Sequence, residues 1–222
     1  MNNLSSRFRF SGIVTIVLIM LVAFLIRTFG YGLYRVPSES MESTMLVGEF
    51  FFANKFSLMY SKPQAGDIVA FNDPTYQYSH NGLMNLFQRF AWGPSNWTKR
   101  IIGVPGDSIQ GVVEDGRAVV YRNGVKLDEP YINMELASSN DCASAADNFS
   151  ALLQVNQYWV MGDNRRNSQD SRYFGPLDGK LIHGKIIFRL ASIDNRSLWK
   201  VVAHPIDFWK SIRWERCAQR VI

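Results

Sequence analysis

The chain has 222 residues and a formal net charge of +5; that length suffices for one anchored domain with a proper core, or for two very small ones. With 47% hydrophobic and 14% aromatic residues it is not a disordered chain. Its positive charges are scattered among acids rather than gathered in a basic run, which argues against nucleic acid as a partner, and the basic residues after Lys200 suit a membrane surface instead.

In chain order, Phe10 to Ile26 comes first. It is apolar except for Ser11, Gly12 and Thr15 and holds no charge, near the short end of the roughly 17–25 residues that span a bilayer. A signal peptide's apolar core has a similar composition. No small-x-small cleavage site follows, only Arg27-Thr28-Phe29-Gly30-Tyr31, so an uncleaved anchor is expected. Arg7 and Arg9 before the segment balance Arg27 and Arg35 after it, and the positive-inside rule leaves the orientation open.

Beyond that segment the chain reads as mostly β. The runs 49–54, 67–72, 100–104, 108–113, 118–122, 158–161 and 185–191 are rich in branched and aromatic residues and bounded by Gly, Pro, Asn or Asp. Asp115-Gly116 and Asn123-Gly124 signal tight turns, the first between two alternating strands. Residues 76–97 carry Leu83, Phe87 and Phe90 at helical spacing, read either as a short helix on the sheet or as an apolar patch dipping into lipid. Residues 135–153 begin small and polar and read as a surface excursion. The tail after Pro205 sets Phe208, Trp209 and Ile212 beside Lys210, Arg213, Arg216 and Arg220, a composition that suits an interfacial helix. Cys142 and Cys217 have no metal-ligand neighbourhood, and whether they pair stays open.

The chemistry-bearing residues fall in three runs. Ser38 and Ser40 are spaced i, i+2, so an extended chain projects both hydroxyls from one face. A serine needs a group to take its proton, and His80, His183 and His204 sit in unremarkable contexts. A lysine can serve if burial lowers its pKa, and Lys99, between Trp97 and Ile101-Ile102, is suited to that. The third run, 162–172, is dense in turn formers and opposed charges after an apolar strand; it reads either as a surface loop or as a source of hydrogen bonds that orient a neutral lysine.

Together, Pro37-Ser38-Glu39-Ser40-Met41, the run from Lys99 through Gly103-Val104-Pro105-Gly106-Asp107, and Gly162-Asp163-Asn164-Arg165 through Ser168, Asp170, Ser171 and Arg172 resemble the three ordered motifs of bacterial type I signal peptidases. The resemblance implies an antiparallel β-sheet catalytic domain on one N-terminal transmembrane helix of the cytoplasmic membrane, with the domain outside the cytoplasm. The division expected is a short cytoplasmic N-terminus at 1–9, a transmembrane anchor at 10–26, the catalytic domain at 27–199 and a basic amphipathic tail at 200–222. It implies cleavage of signal peptides after small residues, with Ser40 as nucleophile and Lys99 as general base. Ser38 assists the oxyanion, Ser168 bonds and orients Lys99, and Asp170 and Arg172 brace the site. Val36, Met41, Phe51, Trp97 and Thr98 are placed around the substrate pockets. No metal or other cofactor is expected; the partners are signal peptides and membrane lipid, the latter through apolar clusters at 50–52, 58–60 and 83–92. Glu39 stands where the family usually has Gly, Ser43 where it often has Pro and Arg166 where it often has Asp. Competing readings are a dedicated peptidase for one substrate such as a conjugative pilin, the self-cleaving domain of an SOS-type repressor, disfavoured by the anchor, and a tethered β domain without catalysis.

Overall fold

The computed structural model describes residues 2–26, 30–90, 93–132, 145–194, 209 and 211–221. Helix α1 (Asn2–Leu25) contains most of the expected anchor. Its side chains from Gly12 onward are exposed, and among the described residues no helix is long and apolar enough to cross a membrane.

The rest is built on two antiparallel sheets. The larger runs β1 (Tyr31–Arg35), β2 (Glu49–Asn54), β11 (Ile182–Ser192), β3 (Ile68–Asn72), β4 (Asn96–Gly103), β9 (Gln157–Met161) and β10 (Leu177–Asp178), with β12 (Gln219–Arg220) also on β11. The smaller is ordered β7 (Val125–Lys126), β6 (Arg117–Arg122), β5 (Ser108–Glu114), β8 (Phe149–Leu152). The tight turns fall where the sequence signals them. Asp115-Gly116 and Asn123-Gly124 both take positive φ, the geometry that matches the twist of a hairpin.

Strand β3 is central and buried on both faces. Ile68 and Ala70 join Val36, Met41, Met45, Phe51 and Ile186 on one side, while Val69 and Phe71 join Ile101, Val160 and Leu177 on the other. A third cluster, around Ile102, Ile109, Trp159 and Met161, ties β4 and β9 to the small sheet. Each large apolar side chain so buried contributes about 1.5–3 kcal/mol, so the strands that frame the first cluster are rigid supports for whatever lies above it.

Two expectations, for 135–153 and for the tail, are corrected. The stretch 135–153 is no simple excursion: 149–152 is β8, paired to β5, and 133–144 lies outside the described residues. Within 76–97 the short helix of the first reading is present as α2 (Gly82–Phe90), with Leu83 82% and Met84 52% exposed at its start. Of the expected tail, residues 200–208 and 210 lie outside the described residues; from Ser211 to Val221 it is not an interfacial α-helix but carries the 3-10 turn Trp214–Arg216 and then β12. Its cations find a buried carboxylate and backbone oxygens, and those partners hold it against the sheet. Among the expected lipid-facing clusters, Phe51 is wholly buried, whereas Met59 and Tyr60 are exposed, as is nearby Phe56. Cys217 is a free thiol; Cys142 lies outside the described residues.

Candidate active site

The segment between β1 and β2 is closed at its base by Val36 N donating to Glu49 O at 2.9 Å and Gly48 N to Val36 O at 3.0 Å. Within it Ser38 is extended (φ −134, ψ 162) and caps a 3-10 turn over Glu39–Met41. Ser38 and Ser40 therefore do not share a strand face, as their spacing predicts. Their hydroxyls still meet, at 3.3 Å, because the turn brings Ser40 back over its cap. Met41 and Met45, 2% and 1% exposed, fasten the turn into the first core cluster. Next comes Ser43, whose φ of 94° is closed to proline; its hydroxyl donates to Tyr131 O at 2.6 Å.

Lys99 comes from β4, in register with Val69 of β3. It is 4% exposed, and its Nζ donates to Ser40 Oγ at 2.7 Å. Burial pushes its pKa down from 10.5 to about 8; Asp170 and Asp163 oppose that shift, and Arg172 adds to it. Trp97 offers its ring 5.9 Å from the ammonium. Of the histidines, His80 and His183 do not line this site, and His204 lies outside the described residues.

The loop after β9 locks both partners. Gly162 sits where a Cβ would run into Ser168 Oγ and the backbone oxygen of Ser40, so only glycine lets the two loops approach. Asn164 N donates to Ser40 O at 3.2 Å, and Asn164 Nδ2 to Glu39 O at 3.1 Å. Glu39, the departure from the family's usual glycine, finds a partner in Asn167 Nδ2 at 3.2 Å. Asp163 is buried and pairs with Arg100 at 2.8 Å, while Arg100 lies over the Tyr131 ring at 4.0 Å.

Asp170 is the hub behind the lysine. It caps α3 (Ser171–Phe174) and accepts from Gly162 N (3.0 Å), Ser168 Oγ (2.7 Å) and Arg172 Nε (2.9 Å). Burial alone raises its carboxyl pKa. The Arg172 guanidinium, helped by Gly162 N–H and the Ser168 hydroxyl, outweighs burial and holds it below the usual carboxylate range. Ser168 thus bonds Asp170 rather than Lys99, contrary to the direct link implied by the resemblance.

A cavity of about 640 Å³ opens over Ser40 and Lys99. Of the expected residues, Val36, Ser38, Met41, Trp97 and Thr98 line it; Phe51 does not, being fully buried behind Val36 and Met41. Ser168, Asp170 and Arg172 are not among its lining residues either. Leu33, Tyr34, Met45, Asn167 and Gln169 line it unforeseen. The signals were slight: a short aromatic run for β1, and the flanks of Ser168 for the last two. Among the described residues no group of three or more His, Cys, Asp or Glu could hold a metal ion.

Residues 9–191 match the family model described as signal peptidase, peptidase S26. Among curated relatives, the probable signal peptidase I-2 of Synechocystis sp. is 34% identical over 79% of this chain and 70% of its own length. Signal peptidase I S of Bacillus subtilis is 36% identical over 71% of this chain and 74% of its own. A solved signal peptidase I from Enterococcus faecalis is 29% identical, covering 56% of this chain and 97% of that one, with a TM-score of 0.41. The chain belongs to the signal peptidase family, peptidase S26.

Proposed function

We propose that this chain is a membrane-anchored serine endopeptidase that removes signal peptides from preproteins, with Ser40 as nucleophile and neutral Lys99 as general base. The supporting observation is the Lys99 Nζ–Ser40 Oγ contact of 2.7 Å around a lysine that burial brings to about 8. At that pKa a useful fraction is neutral near pH 7, as a base needs. Ser40 Oγ adds to the scissile carbonyl carbon while its proton passes to Lys99 Nζ. Collapse of the tetrahedral intermediate expels the mature protein's amine, which takes that proton from Lys99. Water, deprotonated by Lys99 Nζ, then attacks the acyl carbon; the signal peptide leaves as its carboxylic acid and Lys99 returns the proton to Ser40 Oγ. Ser38, its hydroxyl 3.3 Å from Ser40 Oγ, is the side-chain donor for the oxyanion. Asp170 and Arg172 fix the charge around the base, and Ser168 holds Asp170. Val36, Met41, Trp97 and Thr98 crowd the cavity, a shape for small residues before the cleaved bond. The apolar part of α1 is the single-pass anchor in the cytoplasmic membrane, with the sheets on the extracytoplasmic side.

The test is incubation of the full chain with a secretory preprotein, beside Ser40→Ala, Lys99→Ala and the double variant. Parent enzyme releases the mature protein; each single variant loses at least about a thousandfold in rate, and the double is no worse, because the two groups act as a unit. Cleavage that survives Ser40→Ala overturns the reading.

A further inference from the structure

The family match ends at residue 191, yet the chain beyond it is built into the sheet. One edge of β11 is covered by β2; the other is covered by β3 only as far as Lys185. Residues 211–221 take the remainder of that edge. Arg220 and Gln219 pair with Phe188 and Arg189, Ile212 bridges Ile193, and Arg213 N donates to Ser192 O at 2.9 Å.

From that edge two arginines reach the segment that follows Ser40. Arg216 Nε donates to Glu49 Oε1 at 2.6 Å, and Arg216 Nη2 to Thr44 O at 3.2 Å. Arg213 Nη2 donates to Val47 O at 3.0 Å. Arg189 of β11 shares both targets, with Nη2 on Thr44 O at 2.6 Å and Nε 3.1 Å from Glu49 Oε2. Glu49 is wholly buried and also accepts from Ser192 Oγ and Leu46 N, each at 2.9 Å. Thr44 is the junction with the reacting groups. Its hydroxyl donates to Asp163 Oδ2 at 2.6 Å, and the neighbour of Asp163, Asn164, donates its N–H to Ser40 O.

We propose that residues 211–221 form a strap that sets the position of Ser40, with Arg216 as its positioning residue. The inference rests on Ser40 being the nucleophile. Arg216 touches no reacting atom; it acts through Thr44 and Glu49. Without it Thr44 O keeps one guanidinium instead of two, and the 41–48 segment gains freedom. A nucleophile displaced by a fraction of an ångström loses rate while substrate binding is little changed.

The experiment uses the full chain with Arg216→Ala and Arg216→Lys, each checked for folding by near-ultraviolet circular dichroism. kcat and KM are measured separately on a signal-peptide substrate, and hydrogen–deuterium exchange is followed across 41–49. Arg216→Ala is expected to lower kcat about tenfold with KM within about twofold, and millimolar methylguanidinium to recover part of it. Arg216→Lys falls between, since an ammonium cannot serve Glu49 and Thr44 O in the same planar geometry. Exchange across 41–49 should quicken in Arg216→Ala and stay level in the small sheet. A kcat within about twofold of the parent in folded Arg216→Ala, or a loss that methylguanidinium does not relieve, overturns the strap. Should Arg216→Ala not fold, Arg216→Lys decides alone, and a parental kcat overturns it. An inactive parent enzyme tells against the peptidase reading instead, and exchange across 41–49 then decides the strap by itself.

Discussion

At the scale of one residue, Lys99 carries two opposite demands. As the proposed base its amine must be neutral, so kcat/KM should rise with pH toward about 8, where burial has brought its pKa, and level off above it. Asp170 is the strongest of the groups that favour its ammonium form. Asp170→Asn removes that charge, so the residual activity should show a midpoint moved to lower pH; a midpoint moved upward would mean that Asp170 does not govern this lysine. Stability runs the other way. An unfolded lysine titrates near 10.5 and the folded one near about 8, so below about 8 both are protonated and the fold bears the cost of a buried ammonium. Between those values the unfolded chain binds more protons, and stability rises with pH. The shift corresponds to about 3 kcal/mol. Lys99→Met should therefore melt several degrees above the parent at pH 7 while being inactive, read by thermal denaturation. A lower melting temperature would mean that Lys99 stabilises the fold despite its burial.

At the scale of elements, the turn after Ser40 has its own test. Ser43 holds φ at 94° and bonds Tyr131 O, where proline, frequent in relatives by the resemblance, requires about −65°. Ser43→Pro should then destabilise by about 3 kcal/mol, with activity falling in parallel, while Ser43→Gly stays within about 1 kcal/mol. Chemical denaturation of the two variants measures this, and a stabilised Ser43→Pro would refute the left-handed turn. The same region shows what the chain discloses by itself. Strands such as 68–72 are legible because branched residues and flanking turn formers are local signals. Ser40 and Lys99 are legible because each lies in a motif. The bond of Ser168 to Asp170 instead of Lys99 is not, for the choice between two partners depends on packing across the fold. Strand β1 is short and alternates weakly, and the pairing of 211–221 with β11 joins strands through a long closure. The first leaves only a slight local trace and the second none. Phe51 illustrates the converse: its place beside Val36 and Met41 is as expected, but the alternation of β2 turns its ring into the core and away from the cavity.

At the scale of the whole molecule, the proposed function requires the site to meet a substrate whose apolar core stays in the bilayer. Ser40 follows the end of the apolar segment, Ile26, by fourteen residues, a reach of no more than about 50 Å fully extended. Folding shortens it, because Gly30 O already accepts from Lys55 N and β1 begins at Tyr31. Beside that entry point Tyr31 and Leu33 stand 51% and 57% exposed, and Phe56, Met59 and Tyr60 follow β2 at 53%, 68% and 68%. Register places Tyr31 opposite Asn54, so Tyr31 stands across from the end of β2 that leads into Phe56–Tyr60. Aromatic and apolar groups in that position favour the lipid interface. A chain lacking residues 1–30 should accordingly fold, keep the Ser40–Lys99 chemistry, and still float with anionic liposomes. It should cleave a vesicle-presented preprotein faster than the same substrate in plain buffer. Replacing Phe56, Met59 and Tyr60 together by serine should abolish flotation while leaving cleavage of a short soluble peptide unchanged. Recovery of the truncated chain wholly in the aqueous fraction, at a rate indifferent to detergent, would leave the helix alone to bring enzyme and substrate together.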